Sequence, residues 1–125
     1  MAHSLLHPQE IEVFYIIPTL RKNLAIAMKH NGLKQKQIAV LLDIEDAAVS
    51  QYINDKRGNK INLSHEIQKE ISKSALLIKD RLTLVREMQR LLRLIQQTGE
   101  ICRIHKSLSR VPSECSPEAV LCFER

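Results

Sequence analysis

Apolar positions recur at three- and four-residue spacing over most of this chain, the period of a helix buried along one stripe. Pro8 suits the first position of an opening helix, with Glu10 and Glu12 favourable in its first turns. The apolar run 13–17 then meets Pro18, which either breaks that helix or starts a second one. Beyond it, Leu20, Leu24 and Ala27 or Met28 share a face until the helix stop at Asn31-Gly32. Two short helices are predicted over 35–42 and 46–54, followed by a polar turn over 55–59. Ser64 is a good N-cap for the next helix, whose stripe is Ile67, Ile71, Ala75 and Ile78. A longer helix is expected over 81–98, in which Leu84, Met88, Leu91 and Ile95 alternate by four and three. That is a heptad seam, continued by Leu77 upstream and by Thr98 and Cys102 downstream. Gly99 either ends this helix or weakens it. The remainder, with Pro112 and Pro117, reads as irregular, and the expected fold class is all-α.

Composition supports helices over sheets. Of 125 residues only 3% are aromatic, none is Trp and three are Gly, whereas large sheets favour aromatic and β-branched residues and frequent turns. The net charge of +5 fits a nucleic-acid partner. It is spread over both halves with no basic tail, so recognition would have to come from a shaped element. The start, MAHSLLHPQE, lacks the pattern of a signal peptide, and no apolar run approaches the roughly 20 residues of a membrane span. A soluble, cytoplasmic protein without a membrane partner is expected, in which the three cysteines are thiols or metal ligands rather than disulfides.

The most informative stretch runs from 32 to 58, GLKQKQIAVLLDIEDAAVSQYINDKRG. It reads as two helices meeting at a sharp angle. Ala39 is the small residue at the crossing, and Ile38, Leu42, Ile44, Val49 and Ile53 face the core. The second helix would then project short polar side chains, and a narrow polar-faced helix is what the major groove of DNA admits. Candidate DNA-contacting residues are Gln35, Asp46, Ala47, Ser50, Gln51 and Asn54, with Lys56 and Arg57 behind them on the phosphates.

The elements QIAVLL, Ile44, AAVSQYI and DKRG resemble the Cro and phage-repressor family of helix-turn-helix transcriptional regulators. Asp43 stands where that family usually has Gly in the turn, and Glu45 where Ser or Thr commonly caps the second helix. Asp tolerates left-handed backbone better than most residues. Over nearly its full length the chain also resembles a class of small prokaryotic predicted regulators, known best from archaea. That likeness rests on Glu10, Ile11, Tyr15, Ile17, Pro18, Leu20 and Arg21, and on Cys102-Arg-Ile-His105 followed by Cys115 and Cys122. It implies a lambda-repressor-like helix-turn-helix domain (1–62), a helical dimerisation region (63–106) and a Cys-containing tail (107–125). A homodimer on a pseudo-palindromic double-stranded DNA operator follows, with Leu84, Met88, Leu91 and Ile95 as its interface; packing of that seam within the chain, against Val13, Phe14 and Ile17, is the alternative.

Cys102 and His105 would share one helix face, and Cys115 and Cys122 arrive from a tail able to fold over them. Three thiolates and an imidazole suit zinc, and three thiolates with another fourth ligand suit an iron–sulfur cluster. The resembling class closes with two cysteines at x-x spacing, whereas here six residues intervene, and an earlier Cys-x-x-Cys is replaced by Met88 and Leu91. Ordinary packing thiols and a regulatory disulfide stand as the alternatives. Nothing points to an enzyme: the chain lacks a glycine-rich phosphate loop, a nucleophile elbow and paired acids. The expected function is a sequence-specific regulator, a repressor by preference, sensing metal or redox state through its tail. The alternative is an antitoxin or assembly module that retains the helix-turn-helix.

Overall fold

The computed structural model describes residues 5–120 and 122, and every regular element among them is helical. The order is α1 (Pro8–Ile11), a π-helical turn (Glu12–Ile16), α2 (Ile17–His30), α3 (Gln35–Leu42), α4 (Asp46–Ile53), α5 (His65–Leu77), α6 (Arg81–Gln97) and α7 (Glu100–Leu108). No helix among the described residues is long and apolar enough to cross a membrane.

Pro18 neither breaks the first helix nor starts a fresh one. A proline ring collides with the carbonyl four residues back and offers no N–H, so a regular helix would kink there. Here the chain widens into a π-turn just ahead of it, and the Ile17 N–H bonds to the Glu12 carbonyl instead. The Thr19 hydroxyl donates to the Tyr15 carbonyl at 2.8 Å, bringing a side chain to the backbone of the altered turn.

Three of the connections close in one way. A left-handed residue reverses the chain, and the two N–H groups at the reversal satisfy the last carbonyls of the helix. At Gly32 the bonds run from Gly32 to Lys29 (3.0 Å) and from Leu33 to Met28 (3.1 Å). At Asp43, φ 54°, they run to Val40 (3.2 Å) and, from Ile44, to Ala39 (3.0 Å). At Asp55, φ 63°, they run to Tyr52 (3.3 Å) and, from Lys56, to Gln51 (2.8 Å). Gly58 is needed for a different reason: besides its φ of +70°, a Cβ there would collide with the Pro18 carbonyl oxygen on α2. Gly99, at φ +76°, ends the long helix and separates α7 from α6.

Leu20, Leu24, Ala25 and Met28 of α2 are fully buried. One continuous core joins them to Ile38, Ala39 and Leu42 of α3, Val49 of α4, Ile67 and Ile71 of α5, Leu91 and Ile95 of α6, and Ile101 and Ile104 of α7. Ser64 caps α5, its Oγ accepting from the Ile67 N–H, and Asp80 caps α6 in the same manner through Thr83.

This core corrects the expected dimer seam. Leu91 and Ile95 are 0% exposed within the single chain, so in this fold they have no surface to offer a second copy. The heptad spacing is satisfied internally, because α6 packs on α5, α7 and α3. Leu84 and Met88 are half-buried and line a shallow groove with Ile17, Leu42 and Leu92. The apolar residues that α6 leaves exposed are Leu82 and Val85.

A buried polar cluster ties α5 to α6. Glu87 is 3% exposed, yet its Oε1 accepts from the Ser74 hydroxyl at 2.7 Å and from Arg90 Nε at 3.0 Å. Arg90 also donates to Glu70 Oε1 at 2.6 Å and to Ser74 Oγ at 2.7 Å. Arg90 is thus drawn inward, its side chain half-buried. Burial pushes the Glu87 carboxyl up, but the Ser74 and Arg90 hydrogen bonds outweigh it and hold the group below the usual carboxylate range. A carboxyl lowered in the folded state stabilises the fold fully above its unfolded value of about 4.3, and that contribution disappears as pH falls through the folded value. Glu87→Gln is therefore expected to cost about 1–3 kcal/mol at neutral pH, with the gap to wild type narrowing at about pH 3. Urea unfolding at both pH values measures this, and a gap independent of pH contradicts the assignment.

Candidate nucleic-acid interface and cysteine-lined cavity

The angle between α3 and α4 is set by the three-residue connection 43–45. Asp43 takes the left-handed conformation that a glycine would normally supply, and the Ile44 N–H bonds back to the Ala39 carbonyl. Ala39 is 6% exposed, and Ile44 packs partly buried against the same core. Across the connection, Gln35 Nε2 donates to the Asp46 carbonyl at 3.0 Å, so the first residue of α3 holds the first residue of α4. Arg81 Nη2 lies 3.4 Å from Asp43 Oδ1, both side chains being largely exposed.

Val49 and Tyr52 fix the inner face of α4, at 0% and 2% exposure. The opposite face then follows from the helical period: Asp46, Ala47, Gln51 and Asn54 are exposed and Ser50 is half-buried. Asn54 Nδ2 donates to Ser50 Oγ at 3.2 Å, one turn back along that face. Lys56 and Arg57 follow, both exposed, with the Arg57 guanidinium 5.3 Å from the centre of the Tyr52 ring. Lys34 and Lys36 are exposed at the start of α3, and Lys60 beyond the turn. The structure thus gathers Gln35, Asp46, Ala47, Ser50, Gln51, Asn54, Lys56 and Arg57 on or beside one helix face. Gln35 departs from the expectation in one respect, because its amide already bridges the two helices. Glu45 and Asp46 put negative charge at the helix N-terminus, where the backbone dipole favours it.

The second site lies at the other end of the chain. Cys102 and His105 stand one turn apart on α7, and the tail folds back so that Cys115 and Cys122 line the same cavity of about 390 Å³. All three cysteines are free and half-buried. Burial pushes the Cys122 thiol up, and Cys102, Cys115 and Glu12 add to the shift by charge repulsion. Residues 5–8 close the remaining wall. His105 Nε2 is hydrogen-bonded to the Leu6 carbonyl, and Ser109 Oγ accepts from the Leu6 N–H at 2.6 Å. The donor types suit a thiophilic metal, but among the described residues no three His, Cys, Asp or Glu side chains are arranged to hold an ion in this conformation.

Sequence reasoning missed two features here. The apolar pair Leu5-Leu6 ahead of Pro8 was its only available sign of a cavity wall. The Glu70–Ser74–Glu87–Arg90 cluster left none, since each of those residues is ordinary on an exposed helix face. Searched against known proteins, the chain matches no family model, no curated protein and no solved structure.

Proposed function

We propose that this chain is a sequence-specific regulator of transcription that lays α4 in the major groove of double-stranded DNA. One observation carries the reading: α4 is locked by Val49 and Tyr52 and turns Asp46, Ala47, Ser50, Gln51 and Asn54 outward in a narrow polar row. In this mechanism Gln51 and Asn54 read base edges, and Ala47 touches a thymine methyl group. Lys56 and Arg57 grip phosphates at the end of the helix. Asp46 accepts from cytosine amino groups and, with Glu45, lowers affinity for DNA lacking the right bases. Loading of α4 from both sides, by Gln35 through the Asp46 carbonyl and by Arg57 through the Tyr52 ring, keeps the reading face rigid before it meets DNA. One such helix reads few base pairs, so two copies on a pseudo-palindromic operator belong to the same proposal. The outer edge of α6, with Leu82, Leu84, Val85 and Met88, is the surface assigned to that contact.

The meeting of Cys102, His105, Cys115 and Cys122 on one cavity favours a sensing role for the tail. Zinc would supply a structural cross-link there, or an iron–sulfur cluster a redox-dependent one. Holding zinc with the imidazole as fourth ligand requires His105 to release the Leu6 carbonyl or to ligate through its other nitrogen.

Two measurements test these assignments. On an operator recovered by selection, Gln51→Ala is expected to lose roughly 1–3 kcal/mol of binding, and Lys56→Ala to weaken all sequences alike and flatten the salt dependence. Unchanged binding in both variants contradicts the placement of α4. Protein purified without oxygen is expected to carry metal that Cys102→Ser and Cys115→Ser remove, and a metal content that these variants do not change eliminates the sensing role.

A further inference from the structure

We propose that the cavity between residues 5–8, α7 and the tail binds a small aromatic carboxylate. This goes beyond the DNA-binding reading and does not depend on it, and it concerns the metal-free cavity, in which the three cysteines are free thiols. At about 390 Å³ the cavity falls within the range of small-molecule sites, about 300–1,000 Å³. Its walls are built from segments a hundred residues apart, held together by the paired hydrogen bonds of Leu6 to His105 and Ser109. The chain therefore frames the cavity with specific contacts rather than leaving a gap between loosely packed parts.

The wall chemistry selects the occupant. Pro8, Pro112 and Pro117 give rigid, flat apolar surfaces, and Cys102, Cys115 and Cys122 give polarisable sulfur. Sulfur packs favourably at the edge of an aromatic ring, so a flat ring uses these walls better than an aliphatic chain of equal volume. Among the described residues lining the cavity there is no carboxylate, whereas His7, His105 and Lys106 are basic. His105 Nε2 is already engaged by Leu6, which leaves His7 and Lys106, both exposed, and of these the Lys106 ammonium in the last turn of α7 is the group assigned to an anion. The ligand that satisfies both the apolar wall and the basic edge is a ring bearing one carboxylate. Its occupancy would tie the tail to residues 5–8, which lead directly into α1 and α2.

The test is calorimetric titration of the full chain, with reductant and chelator present, using 2-naphthoate, 2-naphthamide and octanoate as probes. Saturable binding of 2-naphthoate is expected, with the amide and octanoate each about tenfold weaker. Lys106→Met is expected to weaken the naphthoate by a similar factor, about tenfold, while leaving the amide unchanged. Val111→Trp, which fills the cavity, is expected to abolish binding of both naphthalene probes while the helical circular dichroism and melting temperature stay as in wild type. Lys106 is exposed, so its variant tests the charge even where the tryptophan variant fails to fold. The proposal is overturned by the absence of saturable naphthoate binding, by equal binding of acid and amide, by octanoate binding as tightly as the ring, or by a folded Val111→Trp that binds as wild type.

Discussion

Helix α2 is the surface on which the other helices are laid. Leu20, Leu24, Ala25 and Met28 are removed from water by α3, α4 and α5 arriving from different directions. Burial of apolar side chains is the dominant favourable term in a fold of this size, and it has no direction of its own. Direction comes from the turns. Gly32, Asp43 and Asp55 each take a left-handed conformation, and each reversal returns the next element to the same core. The core and the three reversals therefore depend on one another: without the core the strained aspartates have no compensation, and without the reversals the stripes do not meet.

The outward face of α4 is a consequence of this arrangement. Val49 and Tyr52 can be buried against α2 only if Asp46, Ala47, Gln51 and Asn54 point away from it. The Asp55 reversal then places Lys56 and Arg57 beside the end of the helix, and the close approach of Gly58 to Pro18 holds that turn against α2. The same helix that organises the core thus fixes the position of the polar row, through buried apolar contacts, the backbone approach at Gly58 and an ion pair from Lys22 to Asp55. The cysteine-lined cavity is built on a different principle. Two hydrogen bonds of Leu6 and the packing of α7 hold its walls, and the tail segment that closes it is non-helical and carries two prolines, Pro112 and Pro117.

Much of this was legible in the residues themselves. The apolar period located the helices, the Asn31-Gly32 stop and the Ser64 cap marked boundaries, and Ala39 marked the crossing of α3 and α4. The polar row was readable for the same reason, since placing Val49 inside fixes what lies outside. Other features were hidden by the nature of the signal. A heptad spacing states that a face is buried but not whether the same chain or another covers it, which is why Leu91 and Ile95 suggested a partner. Arg90 sits at a spacing typical of a solvated face, and only the arrival of Glu70 and Ser74 from α5 draws it in. Pro18 announced a disturbance without revealing that a π-turn would absorb it. The return of the tail to α7 is a long-range contact between segments without periodicity, and no local pattern encodes it.

The central claim is that the polar row of α4 reads DNA sequence. The most direct measurement is selection by the purified full chain from a pool of randomised duplexes, followed by sequencing of the bound fraction. The account predicts enrichment of one motif made of two inverted half-sites, spaced by about one turn of the duplex. Recovery of duplexes with no sequence in common, at any salt concentration, would contradict it.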